Sequence, residues 1–202
     1  MVITGVYYAL AFCAAGFAVA WLTRPWIAAP LFVLAAFFLW FFRDPDREAP
    51  LGPDMVSPAD GKVMTVKMES DGLTRISIFL SPLDVHVNRT PVGGRIVDFE
   101  HKKGEFLIAS AEEASARNEQ NVITVEMEDG VKVVYKQIAG VVARRCVFDR
   151  KIGDVLRKGE RIGLMKFGSR MDVIFGVEWQ PVVRPGDRVW AATSVLARRK
   201  AV

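Results

Sequence analysis

Three short segments carry side chains that could do chemistry together. "SPADGKV" contains Asp60, "SPLDVHVNRTP" contains His86, and "LMKFGSRMDVIFG" contains the pair Gly168 and Ser169. A serine hydroxyl becomes an effective nucleophile when a base accepts its proton, and a carboxylate can orient that base. The segments therefore predict a site in which Ser169 is the nucleophile, His86 the base and Asp60 the group that orients His86.

Each segment by itself also has an ordinary interpretation. Asp60 with the glycine after it is a common turn, His86 could be a strand residue satisfied by a neighbour, and Gly168-Ser169 could be a loop tip. A glycine before the serine does have a chemical use. It removes Cβ crowding and permits unusual backbone angles, so that the Gly168 carbonyl can approach the Ser169 hydroxyl.

The remaining polar residues do not indicate a familiar cofactor fold. The chain has two histidines and two cysteines, Cys13 and Cys146, at spacings that predict neither a zinc site nor a disulfide framework. His101 lies in the charged stretch "FEHKKGEF", which favours a solvated strand end. There is no Gly-rich phosphate loop that ends in lysine, and no Gly-x-Ser-x-Gly elbow. The sequence predicts no metal site.

The N-terminus is strongly apolar. Hydrophobic residues make up 51% of the chain, mean hydropathy is +0.20, and residues 2–23 and 25–42 form two apolar runs separated by Arg24. Each run approaches the roughly 20 residues that cross a bilayer as a helix. A cleaved signal peptide should not be followed at once by a second run. We expect a retained membrane hairpin over residues 1–42, whose second run either crosses fully or re-enters; a buried helix pair is the alternative.

Charge gives a direction for this hairpin. Arg43 and Arg47 follow the second run, whereas Arg24 alone lies in the connecting turn, so the positive-inside rule predicts a cytoplasmic main domain in the cell membrane by a margin of one charge. The net charge of +4 suits a surface beside anionic lipid headgroups. No interleaving of basic and aromatic residues indicates a nucleic-acid partner.

The rest of the chain reads as β structure. A linker rich in proline and charge is predicted at 43–54, and a β-rich domain at 55–202. Apolar and polar residues alternate over 63–68, 75–80, 131–139 and 171–175, which predicts half-buried strands. One helix is predicted over 108–119. The predicted fold class is mainly β (α+β): a compact barrel-like or sandwich-like domain with one short helix, preceded by the helical hairpin.

Taken in order, five segments resemble one known family. "SPADGKV", "SPLDVHVNR", "KKGEF", "ARNE" and "FGSR" are similar to those of phosphatidylserine decarboxylase in its short form. The resemblance implies a precursor that cuts itself between Gly168 and Ser169, leaving fragments 1–168 and 169–202 as a heterodimer or a higher oligomer. It implies conversion of Ser169 to a pyruvoyl cofactor, which forms a Schiff base with phosphatidylserine and releases carbon dioxide and phosphatidylethanolamine.

The resemblance also implies roles for two residues in the His86 segment. His86 would return a proton to the substrate after decarboxylation. Longer relatives carry a second histidine, tied to self-cleavage, three residues further on, where this chain has Arg89, so the base for self-cleavage stays open. Arg89 cannot act as a base at neutral pH, but its planar fork could bind the substrate's carboxylate or phosphate.

Two other functions share part of these features. A pyruvoyl decarboxylase for another amine-bearing substrate, such as a soluble amino acid, would use the same serine but leave the apolar hairpin without a purpose. A membrane-anchored β-barrel adaptor without enzymatic activity would use the Gly168-Ser169 region only as strands and turns. Cleavage of the chain at Ser169 would separate the enzymes from the adaptor.

Overall fold

The structure is a computed structural model, and it describes residues 2–69, 71–141, 145–166 and 168–200. The chain divides into two compact units, residues 1–46 and 47–202. This division falls inside the segment predicted as a linker. The domain boundaries predicted above, at 42/43 and 54/55, stay predictions.

The first unit consists of two helices that pack against each other, α1 (Ile3–Leu22) and α2 (Pro25–Phe41). Small residues of α1 allow aromatic rings of α2 to come close: a Cβ on Gly16 would lie 2.9 Å from the Phe32 ring. The rings of Phe12 and Phe38 stack with centroids 5.2 Å apart. By length and composition α1 could cross a membrane, whereas α2, with 17 residues, is shorter. An apolar hairpin is therefore present as expected.

The second unit is built almost entirely of short antiparallel strands. They are β1 (Met55–Val56), β2 (Gly61–Met68), β3 (Thr74–Leu80), β4 (Val87–Arg89), β5 (Gly94–Lys102), β6 (Gln120–Glu126), β7 (Lys132–Ile138), β8 (Cys146–Phe148), β9 (Val155–Leu156), β10 (Arg161–Met165), β11 (Ser169–Phe175), β12 (Trp179–Pro181), β13 (Arg188–Val189) and β14 (Val195–Arg199).

These strands form three sheets. The largest is a curled eight-stranded sheet in the order β13-β2-β3-β11-β7-β6-β5-β9. Two three-stranded sheets have the orders β4-β10-β8 and β1-β14-β12. Strands β2, β3, β7 and β11 cover the four segments whose alternation predicted strands, so those predictions and the mainly β fold class are confirmed.

The core fills the inner face of the large sheet. Alternation along each strand places every second side chain on that face, for example Ile76 and Ile78 on β3 and Met171 and Val173 on β11. Directly paired residues of neighbouring strands share a face, so the apolar rows continue from strand to strand. The four residues named here are fully buried, and the same inner face carries Ser169.

The predicted helix over 108–119 is much shorter than expected. Helix α3 spans only Ala114–Arg117, and turns occupy most of 109–113. Hydrogen bonds to other segments hold the backbone on either side of α3: Asn118 binds the main chain of Leu107, and the main chain of Glu105 pairs with that of Arg117 and Glu119. These nonlocal bonds outweigh the helix propensity of the alanine-rich stretch.

Candidate active site

Ser169 is the first residue of β11, between β3 on one side and β7 on the other. It pairs with Leu80 of β3 and shares the inner face with Met171. Its side chain is fully buried, and its Oγ has no hydrogen-bond partner among the described residues. A buried hydroxyl without a partner costs free energy, so such a group calls for a functional explanation.

Gly168 has φ +61°, in the left-handed region that favours glycine. A Cβ on Gly168 would meet nothing within 4 Å, so the backbone conformation and not the available space favours glycine here. Its carbonyl oxygen lies against Gly140, because a Cβ on Gly140 would come within 2.0 Å of that oxygen. The carbonyl of the Gly168-Ser169 bond is thus held against a second glycine. Of the "FGSR" segment, Phe167 lies outside the described residues.

Gly140 is positioned in turn by Asn118. Asn118 Nδ2 donates to the Ala139 carbonyl at 2.7 Å and to the Leu107 carbonyl at 2.9 Å, and its Oδ1 accepts from the Leu107 N–H at 3.0 Å. A single buried amide therefore joins the end of β7 to the segment after β5. Any shift of Asn118 would be transmitted through Ala139 to the glycine that contacts the Gly168 carbonyl.

The "KKGEF" and "ARNE" segments, which are distant in sequence, form this support together. The Glu105 N–H donates to the Arg117 carbonyl at 2.8 Å, and the Glu119 N–H donates to the Glu105 carbonyl at 3.0 Å. A Cβ on Gly104 would lie 2.3 Å from the Arg117 carbonyl oxygen, so this approach requires glycine. Two of the five segments that carry the family resemblance thus support the Gly168 carbonyl without contributing a reactive group.

His86 lies just before β4, and its side chain is 2% exposed. Its Nδ1 is 2.8 Å from the Asp84 carbonyl oxygen. Because a carbonyl can only accept a hydrogen bond, Nδ1 carries the proton in the neutral ring and Nε2 is the basic nitrogen. This tautomer is the one needed for a base that acts through Nε2.

Two backbone connections bring His86 and Ser169 to the same end of the domain. The His86 carbonyl accepts from the Met165 N–H at 3.1 Å, and Met165 precedes Ser169 by four positions. On the other side Ser169 pairs with Leu80, which precedes His86 by six positions. One end of the Leu80–His86 loop is therefore paired with Ser169, and its other end is bonded to Met165.

Asp84 fixes the loop that carries His86. Its buried carboxylate accepts from the Ser81 N–H at 2.8 Å and from the Arg188 guanidinium at 2.8 Å. The sequence analysis did not single out Asp84 or Arg188. Charge-assisted hydrogen bonds of this kind hold a loop firmly because the carboxylate is otherwise shielded from water.

Asp60, predicted to orient His86, makes hydrogen bonds with Arg47 and Ala191. Both of its carboxylate oxygens accept from the Arg47 guanidinium, and Oδ1 also accepts from the Ala191 N–H at 2.8 Å. Arg47 in addition donates to the Ala191 carbonyl at 3.0 Å. The contact found at His86 Nδ1 is the Asp84 carbonyl, and the orienting role of Asp60 stays a prediction.

Arg89, predicted to bind substrate, is 5% exposed on β4. Its guanidinium donates to the Gly159 carbonyl at 3.1 Å, and its N–H donates to the Pro58 carbonyl at 2.9 Å. These bonds tie β4 to two neighbouring segments. The substrate-binding role of Arg89 stays a prediction.

The outer face of β11 is charged and fully bonded. Arg170 donates to Asp172 at 2.6 Å and to Ser77 Oγ at 2.8 Å, and the Ser115 hydroxyl donates to Asp172 at 2.6 Å. Arg75 donates to Ser77 Oγ and binds the carboxylates of Glu69 and Glu112. Burial favours the neutral form of Arg75, but hydrogen bonds to these carboxylates outweigh it and raise the pKa of Arg75.

Known proteins resemble this chain over most of its length. The family model described as phosphatidylserine decarboxylase matches residues 34–197. The "Phosphatidylserine decarboxylase proenzyme" of Solibacter usitatus is 60% identical over 199 residues, which cover 98% of this chain and 97% of the relative. The protein of the same description from Salinibacter ruber is 44% identical over 192 residues, which cover 89% of this chain and 83% of the relative.

The chain belongs to the phosphatidylserine decarboxylase family. The resemblance that the five segments suggested is thereby confirmed. For a phosphatidylserine decarboxylase, the word proenzyme in the relatives' descriptions fits a precursor that is converted to its active form. The peptide bond between Gly168 and Ser169 is therefore a candidate cleavage site in a precursor, and not only part of a turn.

Sequence reasoning missed three groups that shape the candidate site of this phosphatidylserine decarboxylase family member. They are Gly140, which contacts the Gly168 carbonyl; Asn118, which holds Gly140 through Ala139; and Asp84, which holds the His86 loop. The only sequence signal for Asn118 was its place in "ARNE". A single sequence gives no signal for Gly140, because its importance depends on a residue 28 positions away.

Proposed function

We propose that this protein decarboxylates phosphatidylserine to phosphatidylethanolamine and carbon dioxide, after it cuts its own chain between Gly168 and Ser169. The observation that carries the proposal is the buried Ser169 Oγ, without a partner among the described residues, next to a left-handed glycine whose carbonyl is held by Gly140. The relatives named phosphatidylserine decarboxylase proenzyme support the substrate and the reaction.

The cleavage chemistry follows from the two residues at the bond. Ser169 Oγ attacks the Gly168 carbonyl carbon, the C–N bond breaks, and an ester replaces the amide while the Ser169 nitrogen becomes an amine. Loss of the Cα proton expels the Gly168 carboxylate and leaves dehydroalanine at 169. Water then converts this group to a pyruvoyl terminus and releases ammonia. His86 is the candidate base, and a positioned base contributes typically about 10²- to 10⁴-fold.

The surroundings of residue 169 fit a pyruvoyl group. The inner face at this position is buried, β3 and β7 hold the strand on both sides, and the His86 loop lies at the same end. The group supplies a carbonyl that condenses with the substrate amine and takes up the electrons released as carbon dioxide leaves. His86 Nε2 would return a proton to the substrate α-carbon. Arg89 is the candidate for binding the substrate carboxylate or phosphate.

The fold also explains why cleavage need not separate the fragments. Strand β11 would begin the fragment 169–202, yet it lies between β3 and β7 of the fragment 1–168. Its seven residues all pair with β3, and five of them also pair with β7. We infer that the two fragments remain together as a heterodimer after cleavage.

The apolar helix α1 suits a protein that acts on a membrane lipid. Association with the membrane agrees with a phospholipid substrate, because such a molecule does not have to leave the bilayer to reach a membrane-bound enzyme. The arginine distribution supports a cytoplasmic catalytic domain.

Replacement of Ser169 tests the proposal, with Ser110→Ala, a change of an exposed serine, as the matched control. We expect the wild type and Ser110→Ala to give two fragments on a denaturing gel, the smaller beginning at 169 with a terminus blocked to Edman degradation. Both should release carbon dioxide from phosphatidylserine vesicles. Ser169→Ala should remain one folded, inactive chain. A wild type that is active as one uncut chain would contradict the proposal.

A further inference from the structure

Four polar side chains form a row of hydrogen bonds from the surface into the core. His101 on β5 is exposed, whereas Asn121 on β6, Gln137 on β7 and Asn88 on β4 are at most 2% exposed. His101 Nδ1 is 2.8 Å from Asn121 Oδ1, Asn121 Nδ2 is 2.9 Å from Gln137 Oε1, and Gln137 Nε2 is 2.9 Å from Asn88 Oδ1. We name these four residues the amide row.

Backbone contacts fix which end of each amide is nitrogen. Asn121 Nδ2 also donates to the Cys146 carbonyl at 3.2 Å, and Gln137 Nε2 also donates to the Val147 carbonyl at 3.2 Å. A flipped amide would place an oxygen against each of these carbonyls, where no hydrogen bond is possible. Every bond of the amide row therefore points the same way. His101 donates to Asn121, Asn121 donates to Gln137, and Gln137 donates to Asn88.

This direction leaves a donor at the buried end. Asn88 Oδ1 accepts from Gln137, so Asn88 Nδ2 is the group of this last amide that points away from Gln137. Asn88 is fully buried, and its Nδ2 has no acceptor among the described residues. A buried donor without a partner costs free energy, so its presence calls for an acceptor that binds there. Aligned hydrogen bonds polarise one another, which strengthens the terminal N–H as a donor.

The amide row reaches the inner face of the large sheet within two strand positions of the reacting residue. Gln137 pairs with Met171 of β11, and Ser169 is the next residue of β11 on the same inner face. Asn88 on β4 bonds to Gln137, and His86 lies two residues before Asn88 in the chain. Asn88 is therefore directed toward the part of the large sheet that carries Met171 and Ser169.

We propose that Asn88 Nδ2 donates a hydrogen bond to an anionic oxygen of the group that reacts at residue 169. The proposal rests on the proposed function, which supplies two sources of such an oxygen. One is the oxyanion that forms on the Gly168 carbonyl during self-cleavage. The other is the carboxylate of the substrate in the processed enzyme. Both are oxygen acceptors that a buried, polarised N–H stabilises better than water does.

A structural role accounts for Asn88 Oδ1, which accepts from Gln137, but not for Asn88 Nδ2. Asn88→Leu would remove the unsatisfied Nδ2 donor and would leave one N–H of Gln137 without its acceptor, while the other N–H keeps the Val147 carbonyl. The two changes offset each other, so we expect Asn88→Leu to fold with little change in stability.

The experiment therefore compares Asn88→Leu and Asn88→Asp with Asn121→Asp in the full-length protein. Asn88→Asp keeps the acceptor for Gln137 but replaces the donor with a carboxylate oxygen. Asn121→Asp places the same charge in the amide row two amides away, and so controls for the cost of a buried carboxylate. For each protein we would measure the midpoint of thermal unfolding, the rate at which the 169–202 fragment appears, and kcat and KM on phosphatidylserine vesicles.

Loss of one donor to an oxyanion typically lowers a rate by about 10²- to 10³-fold. We expect a loss of this size in both Asn88 variants, little change in the unfolding midpoint of Asn88→Leu, and a loss below about 10-fold in Asn121→Asp. Slow fragment formation identifies the Gly168 oxyanion as the acceptor. Normal fragment formation with a raised KM or lowered kcat identifies the substrate carboxylate.

Two results would overturn the inference. In one, Asn88→Leu matches the wild type in both cleavage and turnover. In the other, the activity of all three variants falls in proportion to their unfolding midpoints, as expected for loss of folding alone. Failure of the proposed function looks different, because then the wild type itself gives neither the 169–202 fragment nor carbon dioxide.

Discussion

The two faces of strand β11 are built in opposite ways. On the outer face Arg170 and Asp172 are buried, yet each makes several charge-assisted hydrogen bonds. On the inner face Ser169 Oγ has no partner among the described residues. Adjacent positions of one strand thus combine polar groups that are fully bonded with one that is left available for reaction.

The difference reflects what each face contributes. Buried charges cost several kcal/mol each when removed from water, and only well-placed partners offset that cost. The outer face therefore fixes β11 firmly against its neighbours. A reacting hydroxyl needs the reverse arrangement, since a strong hydrogen bond in the ground state would have to be broken before attack.

The largest expected effect concerns the outer face. Asp172→Asn removes the charge that compensates Arg170, and breaking a buried pair costs about 3–5 kcal/mol. We would measure denaturant unfolding with Asp172→Asn added to Ser169→Ala, so that both proteins are uncut. If Asp172→Asn proves as stable as the Ser169→Ala parent, the contrast between the faces is wrong.

The next effect concerns the support of the Gly168 carbonyl. A Cβ on Gly140 would lie 2.0 Å from that oxygen, so Gly140→Ala must displace it. We expect self-cleavage to slow by about 100-fold, because small misplacement of reacting atoms has effects of this order. The control is Gly93→Ala, whose Cβ would meet its nearest atoms at 3.4 Å. Gel densitometry measures the cleavage rates. Equal rates in Gly140→Ala and Gly93→Ala would argue against a role of Gly140 in positioning the Gly168 carbonyl.

The smallest effect lies at the edge of the outer face. The hydrogen bond from Arg75 lowers the pKa of Glu112 below its usual 4.5. A lowered pKa in the folded state stabilises the protein above the unfolded value, and this stability is lost as the pH falls through the folded value. Because the Glu112 side chain is 51% exposed, the contribution should be below about 1 kcal/mol.

Glu112→Gln should therefore reduce the loss of stability on acidification from pH 5 to about pH 3, with little change in cleavage. Glu113→Gln, at the adjacent exposed position, serves as the control. Chemical unfolding at a series of pH values makes the measurement. The same pH dependence in both variants would show that Arg75 does not rely on Glu112.

Much of the fold could be predicted from local pattern. Alternation over 75–80 and 171–175 predicted β3 and β11, and the uncharged run at the N-terminus predicted α1. These features depend on residues near one another in sequence. The helix predicted over 108–119 failed for the same reason, since Asn118 and Glu105 make bonds that no local pattern records.

The same distinction between local and nonlocal information applies to the candidate site. Residue type and order were enough to select Gly168, Ser169 and His86, because few side chains can act as nucleophile or base. The partners of these residues were not predictable. The orienting role of Asp60 stays a prediction, and the contact at His86 Nδ1 is the Asp84 backbone carbonyl, which has no sequence signature.

By itself the sequence determined the chemical groups available, the family, the strands of the large sheet and the apolar character of the N-terminus. The tertiary structure alone decided that Gly140 meets the Gly168 carbonyl, that Ser169 faces the core while Arg170 faces the opposite side, and that Asn88 ends a directed row of amides. The physical reason is that the chemical groups of a side chain follow from its residue type, which the sequence gives directly. The environment of that side chain depends on backbone atoms and burial contributed by segments far apart in the chain.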